Sequence, residues 1–314
     1  MMTAPADFDF TRYLAAKKSV DDRALNHGVY TAVLRELFAA NYRRPLRVLE
    51  IGAGIGTMIE RLIVRGAIID TVYTAVDAEP ELMEQADKGL KRYAERLSLP
   101  VEKKSSGLSI LFGDGKRLAV KLITADVHDF IAQERGRRRW DLLVAHAFLD
   151  LVDIRTLLPE IFTLLEPDGL FYFTLNFDGL TVLDPVIDPE LDKKILDLYH
   201  QSMDRRMVKG KPSGHSQTGR RLFEAISAAQ AHVIEAGASD CIVFARQGAY
   251  PHDEAYFLQC ILAMIRDELR DSPELDPQQL DGWVTKRLRQ IDAGELRYMA
   301  HGLDFVGRVG TPRS

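Results

Sequence analysis

Cysteine is scarce in this 314-residue chain: only Cys241 and Cys260 occur, too far apart for a C-x-x-C motif and too few for a disulfide framework. Two reduced, mostly buried thiols are expected. Long apolar runs are missing as well, since no stretch reaches the ~18 uninterrupted apolar residues of a membrane span. The opening Met-Met-Thr-Ala-Pro-Ala-Asp-Phe-Asp-Phe has no basic segment leading into an apolar one, so a soluble, cytoplasmic protein is expected. Positive charge is not in excess: 41 Lys and Arg face 46 Asp and Glu, a formal net charge of −5 that disfavours nucleic acid or a membrane surface as partner. No histidine or carboxylate pair has metal-ligand spacing such as H-E-x-x-H, so no metal is expected. Internal repeats and low-complexity segments are absent too. The Arg135-Gly-Arg-Arg-Arg139 run reads as a solvated turn.

What is present is 46% hydrophobic residues against 28% charged, enough apolar material for an enzyme-sized globular fold. From about residue 47 to 175, short apolar runs alternate with helical periodicity, the pattern of a mostly parallel α/β sheet flanked by helices. Strands are expected at 47–51, 71–76, 118–124, 141–145 and 170–175. The first helix carries Ile55, Met58, Ile59, Leu62 and Ile63 on one stripe before Gly66; the second, over 81–97, carries Leu82, Ala86, Leu90, Tyr93 and Leu97. A β-hairpin insertion is expected around Gly113-Asp-Gly115.

Before this core, one amphipathic helix is expected over 20–40, opened by Ser19 with Asp22 three residues later in the manner of a capping box. After it, the Pro- and Asp-rich stretch 184–192 and polar sequence to His215 read as a surface or lid insertion. Further helices are expected over 218–231, 253–270 and 277–291, the last with Pro277 at its first position, and strands at 242–245 and 298–309. The resulting division is a helical lid at 1–40, the ligand-binding core at 41–183, an insertion at 184–217, and completion of the sheet at 218–314 with a helical insertion at 251–292.

The most informative stretch is Val48-Leu-Glu-Ile-Gly-Ala-Gly-Ile-Gly-Thr57, a strand entering a helix through Gly52, Gly54 and Gly56. Glycines let a ligand approach the backbone, and the unpaired amides of the helix N-terminus favour polar or anionic groups. A dinucleotide fingerprint needs glycine where Thr57 stands, which weakens NAD as the ligand. The E-x-G-x-G-x-G spacing instead resembles motif I of the class I S-adenosylmethionine (SAM)-dependent methyltransferases, and the resemblance runs over roughly 48–175. It implies a Rossmann-like fold, SAM as methyl donor or sole substrate, and a small-molecule partner. It also implies residue roles: Glu50, Gly52, Ala53, Gly54 and Gly56 beneath the methionine end, Asp77 on the ribose hydroxyls, and Asp126 with the Val127 amide on adenine. His146, in the region matching motif IV, would face the sulfonium.

Asp77, Asp126, His146 and Asn176 each follow a strand, and in an open α/β sheet ligands bind beyond the carboxyl ends of the strands. His146 is the expected base, its ordinary pKa of ~6.5 lying near neutrality; Asp150, Asn176 and Asp178 are expected to orient an acceptor. In the amino-terminal helix, Arg23 is expected to pair with the cofactor carboxylate and Tyr13 to cover the sulfonium by cation–π attraction. The leading expectation is methyl transfer to an O, N or C nucleophile in small-molecule biosynthesis. Ring closure of SAM to azetidine-2-carboxylate with release of methylthioadenosine, aminocarboxypropyl transfer, and SAM binding without turnover are the alternatives.

Overall fold

The computed structural model describes residues 8–68, 70–104, 107–113, 115–208 and 210–310. Helix α1 (Phe10–Ala24) opens on Asp9, whose carboxylate accepts from the Arg12 amide at 3.0 Å. Helix α2 (His27–Ala39) follows a break at Leu25 and Asn26, and the Asn26 side chain accepts from the Val29 amide at 3.0 Å. The single helix expected over 20–40 is therefore two. Ser19, expected to cap it, lies inside α1 and donates its hydroxyl to Glu254 Oε1 at 2.7 Å. The cause of the break is tertiary: the Asn26 amide donates to buried Asp304 at 2.8 Å and its side-chain NH2 to the Ala238 carbonyl at 2.8 Å.

Strand β1 (Leu46–Ile51), α3 (Thr57–Val64), β2 (Thr71–Asp77) and α4 (Pro80–Arg96) then alternate as the periodicity predicts. Strands β3 (Val101–Lys104) and β4 (Gly107–Leu111) precede β5 (Arg117–Thr124). The expected hairpin is the antiparallel β4–β5 pair; Asp114 of its turn lies outside the described residues, and β3 is an unforeseen further strand on β4. Next come α5 (Val127–Glu134), β6 (Trp140–His146), a 3-10 turn (Leu149–Leu151) and α6 (Ile154–Phe162). The basic run at 135–139 is an exposed turn before β6.

Strand β7 (Leu165–Asp184) departs most from expectation, for it does not stop at Leu175. It continues beside the last strand through two register shifts, with Leu175 at φ +55°. The segment expected to be a loop over 184–192 contains the start of α7 (Pro189–Arg205): Asp188 accepts from the Glu190 and Leu191 amides, and Pro189 supplies a preset φ at the first turn. A two-stranded hairpin, β8 (Met207–Val208) with β9 (Lys211–Pro212), leads to α8 (Thr218–Ala228). Then β10 (Ala231–Ala238), not anticipated, and the short β11 (Cys241–Val243) precede α9 (Glu254–Leu269), α10 (Pro277–Asp292) and β12 (Arg297–Val309).

The main sheet runs β10-β12-β7-β6-β1-β2-β5-β4-β3, with β11 also on β12. From β7 to β5 every neighbouring pair is parallel, and both flanks are antiparallel. This is the expected mostly parallel, Rossmann-like sheet. The chain leaves β1 towards β2 and β5, then returns to β6 on the other side, so the strand order reverses between β1 and β6. Such a reversal opens a crevice at the carboxyl ends of the two strands. One apolar cluster joins α2, α3 and α4 to one face of the sheet, and a second joins α6 and α8 to the other. A third lies among α1, α7, α9 and α10, where Val20, Ile195, Phe257 and Trp283 meet. Thus α2 packs on the sheet, and only α1 of the amino-terminal pair reaches the crevice. No helix among the described residues is long and apolar enough to cross a membrane.

Candidate functional site

At the reversal of strand order lies a cavity of ≈ 320 Å³. Its floor is the turn after β1. Gly52 sits at φ +64°, and a Cβ there would fall 2.3 Å from the Phe148 ring, so only glycine lets the ring lie against the turn. Gly52, Ala53 and Gly54 line the cavity. Gly56 does not; it faces Ala86 of α4 and holds the turn against that helix.

Asp77, the last residue of β2, forms the next wall. Its Oδ2 accepts from the Gly54 amide at 2.8 Å and its Oδ1 from the Glu79 amide at 3.0 Å. Each carboxylate oxygen has a second lone pair, so the group can accept two further donors. Asp126 and Val127, at the end of β5, complete this side; Asp126 also caps α5 through the His128 amide at 2.9 Å. Glu50 lies beneath the turn rather than in the wall, fully buried and accepting from the Tyr73 hydroxyl at 2.8 Å. Burial pushes its carboxyl up to about 8, against the stabilising Tyr73 contact.

The opposite wall comes from α1, through Phe10, Leu14, Lys17 and Asp21, and from His146 and Phe148 beyond β6. Asp21 is paired with Lys17 one turn back. Its Oδ2 lies 3.1 Å from His146 Nε2 and 3.6 Å from Arg61 of α3. Burial alone would raise the Asp21 carboxyl, but the Lys17 and Arg61 charges outweigh it and hold it well below the usual range. Arg61 Nη1 donates to His146 Nε2 at 2.7 Å. A guanidinium only donates, so the imidazole hydrogen sits on Nδ1, which faces Thr174 Oγ1 at 2.7 Å. Burial first, and the Arg61 charge second, push His146 down to about 4. The expectation of a base titrating near neutrality is thus corrected: the ring is neutral and its lone pair already accepts a hydrogen bond.

Several expected residues stand elsewhere. Arg23 makes a bidentate pair with buried Glu254, Nη1–Oε1 2.7 Å and Nη2–Oε2 2.9 Å, tying α1 to α9. Tyr13 stacks on Phe257 with ring centroids 5.8 Å apart and is not in the cavity wall. Asn176 ends no strand; it is buried within β7 and donates its side-chain NH2 to the Leu303 carbonyl at 2.8 Å. Asp178, farther along β7, accepts from the Arg220 amide at 2.8 Å and pairs with its guanidinium. Asp150, in the 3-10 turn, is buried with Oδ1 unpartnered and outside the cavity wall. No described residue of 184–217 lines the cavity. Lys17, Asp21 and Arg61 belong to this site without being foreseeable from a motif. The four-residue spacing of Lys17 and Asp21 marks a paired helical face, but nothing local brings Arg61 to them. Among the described residues no group of three His, Cys, Asp or Glu side chains is arranged to hold a metal.

No protein-family model matches the chain, and no curated protein matches its sequence. Solved structures with a similar architecture include a SAM-dependent methyltransferase from Thiobacillus denitrificans in complex with S-adenosyl-L-homocysteine, 15% identical with a TM-score of 0.43, covering 96% of this chain and 99% of that one. YjhP from E. coli is 14% identical, with a TM-score of 0.43 and coverages of 95% and 98%. Phosphoethanolamine N-methyltransferase 2 of Haemonchus contortus, in complex with phosphomonomethylethanolamine and S-adenosylhomocysteine, is 12% identical, with a TM-score of 0.37 and coverages of 98% and 61%. At such identities and scores the likeness carries no argument about chemistry, which rests on this chain's own residues.

Proposed function

We propose that the cavity binds S-adenosylmethionine and that the protein is a methyltransferase acting on a small molecule. The observation that carries this reading is Asp77: its carboxylate is held by the Gly54 and Glu79 amides and faces the same cavity as the glycine turn and Asp126. The donor set fits the group. Asp77 keeps one lone pair on each oxygen for a vicinal diol. Asp126 and Val127, which line the same cavity, would take the adenine. Lys17 and Asp21 present a cation and an anion to a zwitterionic amino-acid end, in the same cavity as the Gly52–Gly54 turn.

When bound, S-adenosylmethionine supplies a sulfonium-activated methyl group. The residues around it contribute alignment and water exclusion, which together offset ~7–11 kcal/mol of a barrier when the reacting atoms are held in near-attack geometry. Phe10, Leu14 and Phe148 provide the apolar cover. Arg61 and Thr174 fix the His146 ring from both nitrogens, so His146 orients rather than removes a proton at neutral pH. The nucleophile therefore presents its own lone pair, with nitrogen favoured over an un-ionised hydroxyl. A small acceptor fits a cavity roofed by α1, and the acidic net charge of −5 favours no polyanion.

Isothermal titration with S-adenosylmethionine and S-adenosylhomocysteine tests the reading, with NAD as control. Binding of the first two, S-adenosylhomocysteine formation with small amines, and loss of binding in Asp77→Ala are the expected results. Preferential binding of NAD overturns it.

A further inference from the structure

The Lys17–Asp21 pair has two neighbourhoods. One is the cavity already described. The other is a polar cluster outside its walls, built from Tyr13 of α1, Tyr199 of α7, Tyr298 of β12, Cys241 of β11 and Asp150 of the 3-10 turn. Rings link two of the phenols: Tyr13 stacks on Phe257 at 5.8 Å, and Phe257 meets Tyr298 edge-on at 5.7 Å. Tyr13, Tyr199 and Cys241 all pack against one apolar cluster that includes Tyr298. The groups also lie within one another's electrostatic reach. Tyr13 is opposed by Tyr298, Asp21, Tyr199 and Cys241, and Tyr199 by Asp150, while Lys17 acts on both Asp150 and Cys241.

The unmatched capacity of this cluster lies in its donors. None of the three phenol hydroxyls has a hydrogen-bond partner among the described residues, and Asp150 Oδ1 is buried without one. Burial keeps all three phenols protonated, Tyr199 being pushed up to about 12, and it raises the Asp150 carboxyl as well. Lys17 spends one N–H on Asp21 and has two more. Asp21, the nearby carboxylate, is already paired with Lys17 and lies 3.6 Å from the Arg61 guanidinium. Each phenol lies within electrostatic reach of the other two, and a hydroxyl donor that no internal group uses stays available to a ligand, so the three together point to an external acceptor of hydrogen bonds.

Resting on the methyl-donor reading, we propose that Tyr13, Tyr199 and Tyr298, with Lys17, form the acceptor-substrate site and bind a carboxylate group of a small molecule. Lys17 joins this site to the cavity, so a ligand anchored on the phenols extends towards His146.

The test uses protein saturated with S-adenosylhomocysteine and follows succinate and benzoate by saturation-transfer NMR, with ethanolamine and benzylamine as cationic counterparts. The carboxylates are expected to bind, and their dissociation constants to rise tenfold or more in the Tyr13→Phe, Tyr199→Phe, Tyr298→Phe triple variant. Its affinity for S-adenosylhomocysteine is expected to stay within twofold of the parent, with Tm unchanged or higher. Carboxylate affinity unmoved by the triple variant, or amines binding in place of carboxylates, overturns the proposal. So does a matching loss of S-adenosylhomocysteine affinity, which places the phenols in the cofactor site, or a fall in Tm, which makes them structural. If the parent binds neither S-adenosylmethionine nor S-adenosylhomocysteine, the methyl-donor reading fails instead, and the same carboxylate titrations on unloaded protein still decide whether the phenols bind a carboxylate.

Discussion

Arg61 Nη1 and His146 Nε2 lie 2.7 Å apart, a guanidinium donating into the lone pair that a general base would need. Loss of this donor frees the ring. In Arg61→Met, burial still lowers the His146 pKa, but the repelling charge is gone and the Asp21 carboxylate remains 3.1 Å away. The imidazole resonances are therefore expected to titrate higher than about 4. The rise is expected to be on the order of one pH unit or more, since each unit reflects about 1.4 kcal/mol of differential interaction. A midpoint unchanged from the parent means that Arg61 does not set the charge state of His146.

Glu50 gives a pH dependence of opposite sign to that of His146. Its folded pKa of about 8 stands above the ordinary value of 4.5, so between those values the folded chain binds a proton that the unfolded chain releases. Its contribution is fully present below the ordinary value and is lost as pH rises through the folded one. For His146, lowered from 6.5 to about 4, stability is lost as pH falls through that window. Urea titrations of Glu50→Gln are expected to remove the decline towards pH 8 while leaving the acid limb intact. A Gln variant with the parent's alkaline limb removes Glu50 as its source.

Asp77→Ala is expected to weaken S-adenosylmethionine binding by tenfold or more, because each hydrogen bond to a charged group contributes about 1.5–3 kcal/mol. Asp77→Asn is the informative companion. It keeps one acceptor oxygen, so titration calorimetry should place its dissociation constant between those of the parent and the Ala variant. Equal affinity in all three proteins sinks the assignment of Asp77 to the ligand.

Legibility in the sequence followed the range of the interactions. Gly52, Gly54, Asp77 and Asp126 were readable because apolar periodicity locates strand ends and a glycine turn is local chemistry; all four line one cavity. Asn176 was misplaced because nothing local shows that β7 continues to Asp184; its continuation depends on pairing with β12 more than a hundred residues later. The Asp188–Pro189 pair reads as loop punctuation and Asp276–Pro277 as a helix start, yet both open helices, since turns and helix N-termini favour the same dipeptide. The α1–α2 break was hidden for a similar reason: Leu25, Val29, Val33 and Leu37 continue a helical stripe across it, and the disruption comes from Asp304 at the far end of the chain. Arg61 was passed over because its partners stand on α1 and β6.

Arg23 separates the local reading from the structural one most sharply. As a ligand for the cofactor carboxylate, it would alter binding when removed and leave stability nearly untouched. As the partner of Glu254, whose side chain is fully buried, it should do the reverse, because its loss strands a charge. Breaking a fully buried pair from one side costs about 3–5 kcal/mol, and the cost here is smaller because Arg23 is itself partly open to water, whereas replacing both members by apolar groups of similar volume is close to neutral. Arg23→Met is thus expected to lower stability by several times what Arg23→Met with Glu254→Met does, with a positive coupling energy in the double-mutant cycle. Ser19, which donates to the same Oε1, cannot take over the charge. Because α1 carries Lys17 and Asp21 on its inner side, some loss of ligand affinity accompanies the unfolding trend in the single variant. The double variant should recover both stability and affinity; recovery of stability alone would return Arg23 to the ligand.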